Sequence, residues 1–153
     1  MFTRIARRVV PAGVAAACAL GIAAAPASAS VTVAVGDAQL VGKVAALVPL
    51  TVTCGPLAGT FSAGGTVSLA QARGKEIAHG SGFFNNSGIN TTPTPIICDG
   101  TPRQVVATVT ADPNGPPFKN GTAVASATFT VNTTTFPFTS ESAATGPVEV
   151  RLR

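Results

Sequence analysis

Tryptophan and tyrosine are absent from the 153 residues, and eight phenylalanines make up the whole aromatic content. Proteins that grip sugars or nucleobases by stacking do so on aromatic faces, so any such platform here rests on Phe alone. Carbohydrate binding is disfavoured on that ground. Histidine occurs once, at His79. A catalytic Ser-His-acid set would need an acid such as Asp99 or Asp112 beside it, and no Gly-x-Ser-x-Gly elbow is present. An exposed strand or turn histidine is the expectation. Zinc takes three or four ligands, and one histidine with paired cysteines does not supply them. The six carboxylates are dispersed, without the close pair of a glycosidase. Asp112-Pro113-Asn114-Gly115 opens like a calcium loop but lacks the later carboxylates, and reads as a hairpin turn. No Gly-rich phosphate loop precedes a helix. The expectation is a protein that is not an enzyme and holds no metal or cofactor.

Basic residues number ten, and three of them, Arg4, Arg7 and Arg8, precede an apolar run from Val9 to Ala25 that ends in Pro26 and Ala27-Ser28-Ala29. This is the layout of a secretory signal peptide, residues 1–29, cleaved after Ala29. Arg7-Arg8 also suggests a twin-arginine signal, without the usual flanking residues. Ala15-Ala16-Ala17-Cys18 suggests a lipoprotein site, without the branched residue three before the cysteine. The run is short of the ~20 residues of a membrane span. Cleavage leaves residues 30–153 as a single domain, with Lys43, Arg73, Lys75, Arg103, Lys119, Arg151 and Arg153 against the six acids. These cations form no stripe along the chain, so nucleic acid is not an expected partner.

Of three cysteines, Cys18 leaves with the signal. Cys54 and Cys98 then remain in an oxidising compartment, where pairing is the default. Closing that loop removes unfolded-chain entropy equivalent to roughly 4 kcal/mol. The Cys-x-x-Cys spacing of a redox pair is missing.

The remaining pattern is alternation. Val44, Ala46, Val48, Leu50, Val52 and Cys54 form one apolar row, and Val105, Ala107 and Val109 another. Paired antiparallel, the end of the first meets the start of the second and brings Cys54 beside Cys98. Pro49 removes a backbone donor and implies an edge or a bulge. Val31, Val33 and Val35 make a short first strand. Gly55-Pro56, Gly59 and Gly64-Gly65 read as a loop, followed by a hairpin from Val67 through Gly74-Lys75 to Phe84. The polar stretch from Phe84 to Pro95 reads as a long loop. Ala123, Ala125, Ala127, Phe129 and Val131 form the longest alternating strand. Asn132 to Thr145 reads as a loop carrying Phe136 and Phe138, and Val148, Val150 and Leu152 as the last strand. About seven short strands with Gly, Pro and Asn between them predict an all-β fold: an immunoglobulin-like antiparallel β-sandwich, with a jelly roll or β-barrel as the alternative. The disulfide is expected to tie neighbouring strand ends rather than to cross the core.

Cys54, Cys98-Asp99-Gly100 before a strand, and Pro117-Phe118-Lys119-Asn120-Gly121-Thr122-Ala123 opening the next together resemble a group of small secreted actinobacterial β-sandwich proteins, over residues 44 to 131. The resemblance implies secretion and a β-fold, and carries over no catalytic residue. The secreted immunoglobulin-like apoproteins that carry enediyne chromophores are of similar size but usually hold two disulfides.

The function expected is that of a secreted, non-catalytic module binding an extracellular or envelope protein. The alternative is an inhibitor or small-ligand carrier using the 84–95 loop or an apolar cleft beside Phe136. The candidate contact residues are Phe83, Phe84, Asn85, Asn86, Asn90, Phe136 and Phe138. Adjacent strand residues face opposite ways, so one member of each aromatic set should be exposed while the rest cap the ends of the sandwich.

Overall fold

The computed structural model describes residues 31–56, 61–85, 96–133 and 136–153. The segment 1–29, expected to be a signal peptide, and most of the 84–95 stretch lie outside the described residues.

Period-two alternation of β-branched and small residues dictates strands, and eight form among the described residues: β1 (Thr32–Val35), β2 (Gln39–Val41), β3 (Ala45–Thr53), β4 (Phe61–Arg73), β5 (Glu76–Asn85), β6 (Arg103–Ala111), β7 (Gly121–Thr133) and β8 (Ser140–Leu152). The chain is therefore all-β, as the alternation predicts, and every pair of named strands is antiparallel, while the isolated bridge Ala38–Leu152 is parallel. All strands belong to one sheet in the order β1-β3-β6-β5-β4-β7-β8, with β2 also on β3. The order β3-β6-β5-β4 and the order β6-β5-β4-β7 are two overlapping Greek keys. The sheet curls until β8 reaches its start. Ala38 N donates to Arg151 O at 2.8 Å, Arg153 N to Ala38 O at 3.1 Å and Leu40 N to Arg153 O at 2.7 Å. Asp37 reinforces this seam, accepting from Arg151 N and from the Arg153 guanidinium, each at 2.9 Å. The result is a sandwich-like, nearly closed barrel.

Its interior is the predicted set of rows: Ala46, Val48, Leu50 and Val52 from β3, Val105, Ala107 and Val109 from β6, and Ala123, Ala125, Ala127, Phe129 and Val131 from β7, all buried. Phe84 and Phe129 stack in the middle with ring centroids 6.0 Å apart. Phe118 is buried in the connection between β6 and β7. Buried Gln71 binds that connection by its backbone, accepting from Lys119 N at 2.9 Å and donating to Lys119 O at 2.7 Å.

Cys54 and Cys98 are bonded, with Cα atoms 4.7 Å apart. They join the end of β3 to the approach to β6, adjacent strands whose register pairs Val52 with Arg103. The Cys-Asp-Gly segment is a turn built around that link. Asp99 accepts from Thr101 N at 2.8 Å and from the Arg103 guanidinium at 2.6 Å. Gly100, at a φ of 83°, donates its N–H to Cys54 O at 2.9 Å.

Five expectations change. Val44 is not in the β3 row; it sits in the turn between β2 and β3 and is 64% exposed. Pro49 lies in an interior strand, where β1 pairs only with residues 50–53 and β2 only with 45–47. Its missing donor therefore falls at the break between those two short strands. Gly64-Gly65 is strand, not loop, because β4 and β7 approach there so closely that a Cβ on Gly65 would lie 1.8 Å from Thr128 O. Asp112–Gly115 turns as predicted, with Asn114 N donating to Asp112 Oδ1 at 2.9 Å. It is not a hairpin, however, since β6 and β7 are separated by β5 and β4. Finally, β8 begins at Ser140, so the Asn132–Thr145 loop shrinks to the connection between Thr133 and Ser140. Gly146 and Pro147 together face Ser126 in a bulge on β8, the position where a strand tolerates a proline.

Candidate functional site

The β7–β8 hairpin ends in a turn held by Thr133. Thr133 N donates to Thr139 O at 2.9 Å, and Thr139 N donates to Thr133 Oγ1 at 2.7 Å. Thr133 Oγ1 in turn donates to Pro137 O at 3.1 Å. On this pinned turn Phe136 is 88% and Phe138 73% exposed. Their rings meet edge to face, centroids 6.3 Å apart. Both members of the set are exposed, so neither caps the end of the fold. No charged residue lies between Lys119 and Glu141 in the sequence. The tip is thus an uncharged aromatic projection at the end of the paired strands β7 and β8.

The other aromatic set divides as strand geometry requires. Phe83 is 50% exposed on the outer face of β5, whereas Phe84 is 1% exposed in the core. Phe84 is therefore corrected from contact residue to core residue. Asn85 is half-buried at the end of β5. Asn86 and Asn90 lie outside the described residues.

A groove that sequence reasoning missed runs across the outer face of β6, β5, β4 and β7. Its volume is about 610 Å³ and its lining includes Ser68, Ala70, His79, Ser81, Asp112 and Val124. Register explains it. Thr110, Ser81, Ser68 and Ser126 stand side by side on four strands, and His79, Ala70 and Val124 form the next row. The floor is low because Ser and Ala are short, and the Asp112–Pro113 segment leaving β6 lines it together with them. Ser68 and Ser126 hydroxyls bond at 2.7 Å. A smaller concavity of about 250 Å³, lined by Thr66, Ser68, Ser126 and Thr128 among others, shares Ser68 and Ser126 with it. The only sequence signal was the run of Ser and Thr at outward positions, and its meaning depends on which strands are neighbours.

The structure does bring one of the two acids named for His79 beside it: Asp112 N donates to His79 O at 2.8 Å. Among the described residues the imidazole makes no hydrogen bond, and Asp112 Oδ1 is engaged by Asn114 N. Groove, imidazole and hydroxyls are thus gathered without the hydrogen-bonded relay that activates a serine. Asp99 lies at the disulfide end, away from His79. The Thr101 N–H bond and then the Arg103 guanidinium hold its carboxyl below the usual carboxylate range.

No group of three or more His, Cys, Asp or Glu side chains among the described residues is arranged to hold a metal ion. No helix among them is long and apolar enough to cross a membrane. The disulfide is compatible with an extracellular protein. No protein-family model, curated protein or solved structure matches the chain.

Proposed function

We propose that the chain is a secreted, non-catalytic β-module that binds an extracellular or cell-envelope protein through the Phe136–Phe138 tip. The observation that carries this is the exposure of two touching phenylalanines, 88% and 73%, on a hydrogen-bonded turn. Leaving apolar rings in water on an ordered element has a use when a partner covers them, and aromatic anchors dominate protein contacts. The strands beneath are paired along their length, and side-chain bonds from Thr133 tie the turn to them. Phe83, on the outer face, is a separate patch. The apolar run behind basic residues and the likeness to secreted actinobacterial β-proteins support export.

The test is recovery of partners from the producing organism's culture and envelope fractions, with the wild type and with Phe136→Ser/Phe138→Ser. A partner held by the wild type and lost by the variant supports the reading; equal recovery by both sinks it. The non-catalytic part has its own check. A hydrolase screen that finds turnover abolished by His79→Ala would overturn it.

A further inference from the structure

We propose that the outer-face groove is a binding site for a neutral pyranose oligosaccharide, with Phe83 as its stacking platform. The inference is independent of the aromatic tip. It starts from size: about 610 Å³ is ample for a sugar ring, and the adjoining concavity of about 250 Å³ extends the same trough past Ser68 and Ser126. A ligand that follows both is elongated.

The lining specifies its chemistry. Thr110, Ser81, Ser68 and Ser126 present hydroxyls on successive strands, spaced by the ~4.8 Å between neighbours in a sheet. Hydroxyls both donate and accept, which suits a ligand that is itself a row of hydroxyls. The His79 ring, without a hydrogen bond among the described residues, adds a directional donor or acceptor. Asp112 Oδ1 accepts from Asn114 N, and among the described residues no hydrogen bond engages Oδ2. Asp112 is the one carboxylate and no Lys or Arg lines the groove. An anionic ligand would meet repulsion and no compensating cation, so the glycan is neutral.

Absence of Trp and Tyr argued against sugars in the sequence, and the structure supplies the missing platform. Phe83 is half-exposed and pairs with Thr66 across the sheet, two residues from Ser81 on the same face. Phe83 lines neither concavity itself but stands directly across from Thr66, which lines the smaller one, so a pyranose that overhangs that rim would lay its C–H face on the ring. Ala70 and Val124 offer apolar contact on the floor.

The experiment is an NMR titration of the ¹⁵N-labelled secreted protein with cellohexaose, maltohexaose and chitohexaose, with oligogalacturonate as the anionic control. Saturable shifts of the Ser68, Ala70, Ser81 and Ser126 amides with a neutral hexasaccharide are expected, and none with the control. Phe83→Ala should weaken that binding roughly tenfold, the loss of one stacking contact. Ala70→Gln, which fills the trough from an outward position, should abolish it. Phe136→Ser/Phe138→Ser should leave it unchanged. No shift with any of the three sugars, binding unaffected by Phe83→Ala and Ala70→Gln, or equal binding of oligogalacturonate would overturn the proposal.

Discussion

Gln71 holds the backbone of Lys119 from both sides, its amide nitrogen on the carbonyl at 2.7 Å and its amide oxygen on the N–H at 2.9 Å. Gln71 is the one buried polar side chain among the described residues. It fixes the connection that carries Phe118 into the core and returns the chain to β7. Replacing it leaves two backbone groups unpaired. Gln71→Ala should therefore lower stability by roughly 1–3 kcal/mol in urea unfolding. A change within experimental error would show that water satisfies Lys119 instead.

The Cys54–Cys98 bond links adjacent strand ends, so its contribution lies mainly in the unfolded chain. Mapping the purified protein without reduction should give a Cys54–Cys98 peptide pair. Cys54→Ala/Cys98→Ala should lose about 2–5 kcal/mol. Free thiols at both positions would contradict the pairing.

Gly65 lets β4 pass close to β7 at Thr128. A Cβ there has nowhere to go without moving the backbone, since Thr128 O would lie 1.8 Å away. Gly65→Ala should destabilise by roughly 1–3 kcal/mol and should shift amide resonances of both strands. An unchanged melting temperature would contradict the close approach.

How much of this was legible in the sequence depends on whether the relevant partner was local. The rows from Ala46 to Cys54, Val105 to Val109 and Ala123 to Val131 were readable because burial on one face writes itself as a period of two. The Gly74-Lys75 turn was readable because its strands are consecutive. Gly64-Gly65 was misread because glycine marks turns and close approaches alike, and only the neighbouring Thr128 tells them apart. The first half of β8 was hidden because Ser140 to Thr145, on an edge strand, carries no large apolar side chain at all. The groove at Ser68, His79 and Ser126 depends on the register of four strands, and the order β6-β5-β4-β7 is a long-range property.

Asp99 supplies a pH-dependent contribution with a defined sign. Its carboxyl is held below the usual range, first by the Thr101 N–H and then by Arg103. A carboxylate depressed in the folded state stabilises it above the unfolded value of ~3.9, and the effect fades as pH falls through the folded value. Melting temperatures of the wild type and Asp99→Asn should therefore differ at neutral pH and converge in acid. A constant difference down to the most acid pH would remove Asp99 from the account.

The central claim is that the Phe136–Phe138 tip is the contact surface for a protein partner. The most direct measurement is the equilibrium affinity of the partner recovered from culture or envelope for the wild type and for Phe136→Ser/Phe138→Ser, with folding of both checked by circular dichroism. Two aromatic anchors covered by a partner are worth roughly 1.5–3 kcal/mol each, so the variant should bind at least about a hundredfold more weakly while melting at nearly the same temperature. Equal affinities of the two folded proteins would contradict the claim.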